Sequence, residues 1–294
     1  MDRPPRDFSS VSSNHPGRRH ILAMVGKLAE HGLLICLALI MVAPFVWMLA
    51  TSIKPADQIF GEPLDLIPDR FALAENYGKA LFSVPMLRFM LNGLIVVTGI
   101  LVVQVTVALF AGYALAKLEF RGRGLLFALI VLGLCVPIQV PALPLYLVLA
   151  ELRLLDTYFA LMVPFFLSVF AIFLFRQFFK GYPNEVLEAA RLDGMTEFEI
   201  VLRLILPSAR PAIAAFSVFS ITAHWNDLYW PLIAINSLEL ATPPLGMLLF
   251  KDSELSADFG GLTAGATIVT VPLLILFILA QRQFVRGITM SGFK

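Results

Sequence analysis

The chain has 294 residues, of which 59% are apolar and 15% charged, with a net charge of +1 at pH 7. A soluble domain averages roughly 45–50% apolar and about 25% charged, so the apolar excess is too large for one soluble core. The net charge is uninformative about nucleic acid, because no basic face stands out from the loops, and the apolar residues fall in long runs, as in a polytopic membrane protein.

About 20 apolar residues cross a hydrocarbon core of roughly 30 Å. Stretches poor in Asp, Glu, Lys and Arg predict an all-α protein with six spans, over about 31–53, 86–116, 124–150, 157–176, 208–234 and 260–281. Each span must be helical, because strand edges or loops in lipid leave backbone groups unpaired. The leading segment, residues 1–30, is basic and rich in Pro, Ser and Arg, without apolar periodicity, and is expected to be flexible in part. The first apolar run is too long for the core of a signal peptide and is expected to be retained.

Orientation follows from the basic residues. With the N-terminus inside, sixteen Lys and Arg residues lie on the cytoplasmic side, from Arg3 to Lys294, against six outside, from Lys54 to Lys251. The bias predicts both termini in the cytoplasm. Pro44, Pro137, Pro141, Pro144, Pro164, Pro231 and Pro272 fall within spans. A proline removes a backbone bond and kinks a helix, which either shapes a path or reflects the general tolerance of membrane helices for proline. Cys36 and Cys135 sit in separate apolar runs without a second ligand nearby and read as small buried or lipid-facing residues.

The loop between the fourth and fifth spans, about 180–210, is too polar to cross a membrane and too patterned for a linker. Asn184 is placed to cap a helix, with Glu185 and Glu188 near its positive end. Gly194 suits the left-handed residue that terminates it. Thr196 and Glu199 have capping-box spacing for a second helix. In that helix Phe198, Val201, Leu202 and Ile205 repeat at helical spacing as one apolar stripe, and Pro207 is expected to end it. The result is a helix–turn–helix with Ala189 and Ala190 exposed. This pattern suits a docking element, an interfacial amphipathic helix or a packed connector alike.

The string Glu188-Ala189-Ala190, then Asp193-Gly194, then Leu206-Pro207, resembles the "EAA" loop of permeases of binding-protein-dependent ABC importers. AGYALAKLEFRGR at 111–123, PLYLVLAELRLLDT at 144–157, RQFFKGYPNE at 176–185, WNDLYWPL at 225–232 and QRQFVRGIT at 281–289 resemble the carbohydrate-uptake branch, notably the smaller permease of maltose-type and glycerol-phosphate-type transporters. The ending SGFK departs from that branch, which more often closes on a Gly-Ala-Val-Lys-Gly-like string. The resemblance implies the type I importer permease fold in the bacterial inner membrane. It implies a second homologous permease, two copies of a cytoplasmic ATPase that use ATP and Mg, and an extracytoplasmic solute-binding protein. It also implies that Glu188, Ala189, Ala190, Asp193, Gly194, Leu206 and Pro207 form the element that couples to the ATPase. No G-x-x-x-x-G-K-[ST] phosphate loop occurs in the chain, so no cofactor is expected to bind here and hydrolysis is assigned to the partner.

Asp227 is the acidic residue within or at the edge of a span, in the string His224-Trp225-Asn226-Asp227-Leu228-Tyr229-Trp230. A mid-bilayer charge costs roughly 2.5–3.5 kcal/mol on insertion scales. Trp225, Asn226, Asp227 and Tyr229 are candidates for a solute path, since a sugar offers hydroxyls to bond and a ring face to stack. Their alternative role is to pin a helix bend or anchor at the interface. Gln104, Asn92 and Gln139 read as inter-helix hydrogen-bond partners, and the Ala108–Gly112 and Gly261–Gly265 pairs as places of close helix approach. A self-sufficient secondary transporter is the competing reading, although it would typically show acidic or His relays and inverted repeats. No nucleophile–base or metal set stands at motif spacing, so neither a catalytic nor a metal site is expected.

Overall fold

The computed structural model describes residues 16–60, 66–137, 139–250 and 258–290, with backbone alone for 16–23 and 282–290. Among the described residues every regular element is helical. Residues 1–15, Lys251 and the SGFK ending at 291–294 lie outside them.

The first helix, α1 (Pro16–Ser52), begins some fifteen residues before the expected span. The good helix formers ahead of His31 extend the helix beyond the apolar run. Residues 16–30 of the leading segment are helical, and 1–15 lie outside the described residues. The apolar stretch of α1 is almost wholly uncovered, with Leu34, Met41 and Phe45 each more than half exposed. Its buried residues, Ala50, Thr51 and Ser52, sit at its C-terminal end. There Asn76 donates to the carbonyls of Ser52 and Lys54 at 3.0 and 2.7 Å.

Helix α2 (Met86–Lys117) runs through the centre of the bundle. It buries Val96, Ile100, Gln104, Ala108, Gly112 and Tyr113, among others. The third expected span is not one helix. It divides into α3 (Arg123–Gly133) and α4 (Ala142–Glu151), each too short at 1.5 Å per residue to cross about 30 Å. The break contains Pro137 and Pro141, and proline removes a ladder donor at each. Next come α5 (Tyr158–Phe165) and α6 (Val169–Lys180), bent by 46°. Thr157 and Ser168 start these two helices, accepting from the amides of Ala160 and Ala171 at 3.1 Å each.

Helices α7 (Asn184–Leu192) and α8 (Glu197–Ser208) form the long loop. A 76° bend at Ala209 then leads into α9 (Arg210–Trp225), so α8 lies across the end of the span rather than within it. After a break at 226–228, α10 (Tyr229–Ala234) completes the fifth apolar region. Finally α11 (Phe259–Met290) packs against α1 and α9. Among the described residues three helices are long and apolar enough to cross a membrane singly: α1 from Met24, α2, and α11 to Gln281.

Among the described residues α2 and α6 share the most extensive helix–helix contact, and Gly112 permits it. A Cβ there would lie 3.0 Å from the Phe175 Cβ and 3.1 Å from the Arg176 amide nitrogen. Ala108 is buried in the same core beside Ala171, Phe175 and Phe179, so this small-residue pair does mark a close approach. That core extends into the loop through Leu187, Ala190, Ile200, Val201 and Ile205. The loop is thus packed onto the bundle rather than resting apart from it.

Candidate functional site

In the loop, Pro183 rather than Asn184 occupies the position before α7, with extended backbone. Asn184 is the first helical residue, and its side chain serves another purpose. Its Oδ1 accepts from Lys117 Nζ at 2.7 Å, and the same ammonium donates to the Tyr182 carbonyl at 2.6 Å. The start of α7 is thereby fastened to the last residue of α2.

A helix turns about 100° per residue, so Leu187 and Ala190 share one face and are both buried. Ala190 is only 5% exposed, which corrects the expectation that both alanines are open for contact. The outward face instead carries Glu188, Ala189 and Leu192. Leu192 is 89% exposed, an apolar side chain one turn beyond Glu188. Sequence reading missed it, although its spacing from Leu187 and Ala190 already put it on the opposite face.

Asp193 follows α7 as its exposed C-terminal cap, and Gly194 has φ +82°. Its amide donates to the Arg191 carbonyl at 3.0 Å, and Met195 reaches back to Ala190 at 3.0 Å. Nothing lies within 4 Å of a Cβ built on Gly194. The demand for glycine is therefore conformational, not spatial. The Thr196–Glu199 capping box is present in both directions, at 3.3 and 3.0 Å.

The apolar stripe on α8 differs from the expected one. Ile200, Val201 and Ile205 are buried, whereas Phe198 is 60% exposed and Leu202 is exposed as well. Residues 201–205 form a π turn in which the Leu206 amide reaches the Val201 carbonyl. This wider turn rotates the register and makes room for Pro207 in the ladder. The helix accordingly does not stop at Pro207. Ala209 donates across it to Ile205 at 2.8 Å, and the chain bends immediately afterwards.

Glu197 holds two elements at once. The Tyr113 hydroxyl of α2 donates to Oε2 at 2.5 Å, and Arg191 Nε of α7 donates to Oε1 at 2.7 Å. The Arg191 hydrogen bond depresses the Glu197 carboxyl below its ordinary value of 4.5, against partial burial, with help from Tyr113. The carboxylate is therefore charged at neutral pH, and its contribution is lost only as pH falls through the depressed value.

A second set of polar groups lies along the bundle. Gln104 Nε2 donates to the Phe165 carbonyl at 2.7 Å and lies 3.2 Å from His224 Nε2, while Ser220 Oγ donates to Gln104 Oε1 at 2.7 Å. One amide thus joins α2, α5 and α9. Asn92 similarly donates to the Glu239 and Ala241 carbonyls, each at 2.9 Å, and accepts from Tyr158 at 2.6 Å. Gln104→Leu would strand the buried Ser220 hydroxyl and the Phe165 carbonyl. We expect a loss of about 1–3 kcal/mol, read as a lower midpoint of thermal unfolding in detergent; an unchanged midpoint would refute the role.

Beside this network, the break between α3 and α4, the end of α5, and the break between α9 and α10 meet around a cavity of about 410 Å³. Gln139, Phe165, His224, Asp227, Tyr229 and Trp230 are among its lining residues. Asp227 and Tyr229 therefore come together as a pair. Trp225 and Asn226 do not join them: Trp225 is buried and donates to the Val269 carbonyl of α11 at 3.0 Å, and Asn226 donates back to Thr222 at 2.8 Å. Asp227 Oδ1 accepts from the amides of Tyr229 and Trp230 at 3.0 and 3.3 Å and so starts α10. Among the described residues no group of three His, Cys, Asp or Glu side chains is placed to hold a metal.

Long apolar helices, a cavity where broken helices meet and a loop packed on the bundle end define a membrane-embedded transport component. Residues 104–290 match the family described as binding-protein-dependent transport system inner membrane component, and the chain belongs to that family. It is thus a non-catalytic permease component of an ABC transporter in the inner membrane, with ATP hydrolysis residing in a separate subunit. The arabinooligosaccharides transport system permease AraQ of Bacillus subtilis (strain 168) is 32% identical, covering 88% of this chain and 92% of that one. The sn-glycerol-3-phosphate transport system permease UgpE of Brucella abortus (strain 2308) is 31% identical, covering 90% and 96%. The diacetylchitobiose uptake system permease NgcG of Streptomyces coelicolor is 30% identical, covering 90% and 88%. A bacterial ABC transporter that imports the acidic polysaccharide alginate shares the fold at a TM-score of 0.78 and 22% identity, over 95% of this chain and 100% of that one.

Proposed function

We propose that the chain forms, with a second homologous permease, the pathway by which a sugar or related polar solute enters the cell. An extracytoplasmic solute-binding protein delivers the solute, and two copies of a cytoplasmic ATPase, using ATP and Mg, drive the cycle. In this reading the chain crosses the membrane six times with both termini inside. The spans are α1, α2, the α3–α4 pair, the α5–α6 pair, α9 with α10, and α11. The bias of basic residues supports that orientation. The sugar class is supported by relatives that carry arabino-oligosaccharides and diacetylchitobiose, and by polar and aromatic groups around one cavity. Asp227 and Tyr229 are the solute-facing residues of this chain, while Trp225 and Asn226 position the bend beside them.

The observation that carries the proposal is α7. Its outward face offers Glu188, Ala189 and Leu192 at the end of the bundle, while its inward face is locked into the core. With Asp193 and Gly194 making the turn and Leu206 and Pro207 closing α8, this segment docks in the ATPase as the coupling element. The test is co-purification of the ATPase with the two permeases. Glu188→Lys is expected to weaken association at least tenfold, the effect of about 1.4 kcal/mol, and to stop uptake. The uptake panel is arabino-oligosaccharide, diacetylchitobiose and glycerol 3-phosphate in proteoliposomes. If the variant assembles and transports like the wild type, α7 is only a connector.

A further inference from the structure

We propose that Glu197 and Tyr113 form the link that carries movement of the coupling loop into helix α2, and through α2 to the cavity. The inference rests on the docking role of α7. Tyr113 and Lys117 lie one turn apart on the same face of α2. Lys117 holds the beginning of α7 through Tyr182 and Asn184, and Tyr113 holds the beginning of α8 through Glu197, which in turn holds Arg191 near the end of α7. The loop therefore grips α2 through two polar anchors, beside the stacking of Phe198 of α8 on Phe110 of α2 at 5.4 Å between ring centroids. A single attachment would act as a pivot, whereas two attachments one turn apart pass on both translation and tilt.

The grip is buried on the α2 side and partly open on the loop side, where the Glu197 side chain is 42% exposed. Tyr113 is 2% exposed and sits in the same core as Phe175, Leu187 and Ile200, so its hydroxyl is directed to one acceptor. A hydrogen bond to a charged acceptor is stronger than one between neutral groups. Nine residues further along α2, about 14 Å at the helical rise, Gln104 bonds the Phe165 carbonyl and lies beside His224. Phe165 and His224 both line the cavity. A continuous chain of packed and hydrogen-bonded groups thus runs from the loop to the cavity wall, and energetic coupling travels through such chains. Glu197 and Tyr113 are positioning residues: they hold the loop against the span and touch no solute.

The test uses the assembled transporter in proteoliposomes, with Cys36→Ser, Cys135→Ser and Ala223→Cys, the last placing a thiol on the cavity wall. A water-soluble maleimide labels that thiol with and without ATP and Mg. ATP is expected to change the labelling rate in the parent. Tyr113→Phe keeps the ring and removes one hydroxyl; Glu197→Ala removes the acceptor. Each is expected to retain ATPase association and hydrolysis while shrinking the ATP-dependent change in labelling by about fivefold, the low end of ordinary coupling between linked sites. The double variant should be no worse than either single one, because both remove the same link. An undiminished labelling response in Tyr113→Phe overturns the proposal. So does a parallel fall in association, hydrolysis and labelling in both variants, which would mark a purely structural role. A parent that ignores ATP, or a Glu188→Lys variant that still responds to it, would instead sink the docking role of α7.

Discussion

Gly194→Pro is expected to abolish ATPase association and transport while the chain still inserts in the membrane. The native φ of +82° is closed to proline, whose ring holds φ near −65°. The substitution also deletes the amide that donates to Arg191 and ends α7. Together these cost about 3 kcal/mol or more locally. The turn between α7 and α8 would open, and Glu188 would lose its fixed angle to the bundle. Gly194→Ala separates the causes. No neighbour stands within 4 Å of its Cβ, so it incurs only the left-handed penalty of about 1–2 kcal/mol. It should retain measurable association. Pull-down of the ATPase from detergent-solubilised membranes reads both variants. Normal binding by the proline variant would mean that the turn does not set the docking geometry.

Gly112→Val is expected to have the second large effect, on the bundle itself. Its first added carbon would meet the Phe175 Cβ at 3.0 Å, the Arg176 nitrogen at 3.1 Å and the Phe175 carbonyl carbon at 3.3 Å. Two of those atoms are backbone and cannot rotate away. Overpacking usually costs about 1–3 kcal/mol, and a branched side chain against a backbone belongs at the upper end. The loss should appear as a lower thermal midpoint in detergent. A midpoint equal to the wild type would show that α2 and α6 can part without harm.

The sequence announced the local rules well. The positive φ of Gly194 and the Thr196–Glu199 box each depend on backbone chemistry within a few residues. Faces were harder. Periodicity gives an apolar stripe, but not which side tertiary contacts cover, so Ala190 proved buried and Leu192 open. The π turn at 201–205 rotated the register of α8, and no residue pattern marks such a turn in advance. Asn184 had two physically sound uses, a cap or a partner for a cation. Lys117, 67 residues away in the chain, decided between them. For the candidate path, Asp227 and Tyr229 meet at the cavity, whereas Trp225 turns toward α11, a contact visible only once the bundle is assembled.

The uncovered first helix has a consequence for assembly during synthesis. Only 6% of the apolar stretch of α1 is buried, and its main neighbour is α11, more than 200 residues later in the chain. A nascent chain therefore places α1 in lipid well before its neighbour exists. The helix must be stable there alone, as a fully hydrogen-bonded segment in hydrocarbon can be. Its docking belongs to a later stage in which inserted helices find one another. Closing that contact makes the two ends of the bundle mutually dependent, so a ribosome that stalls before α11 leaves an inserted but unfinished chain for quality control to remove.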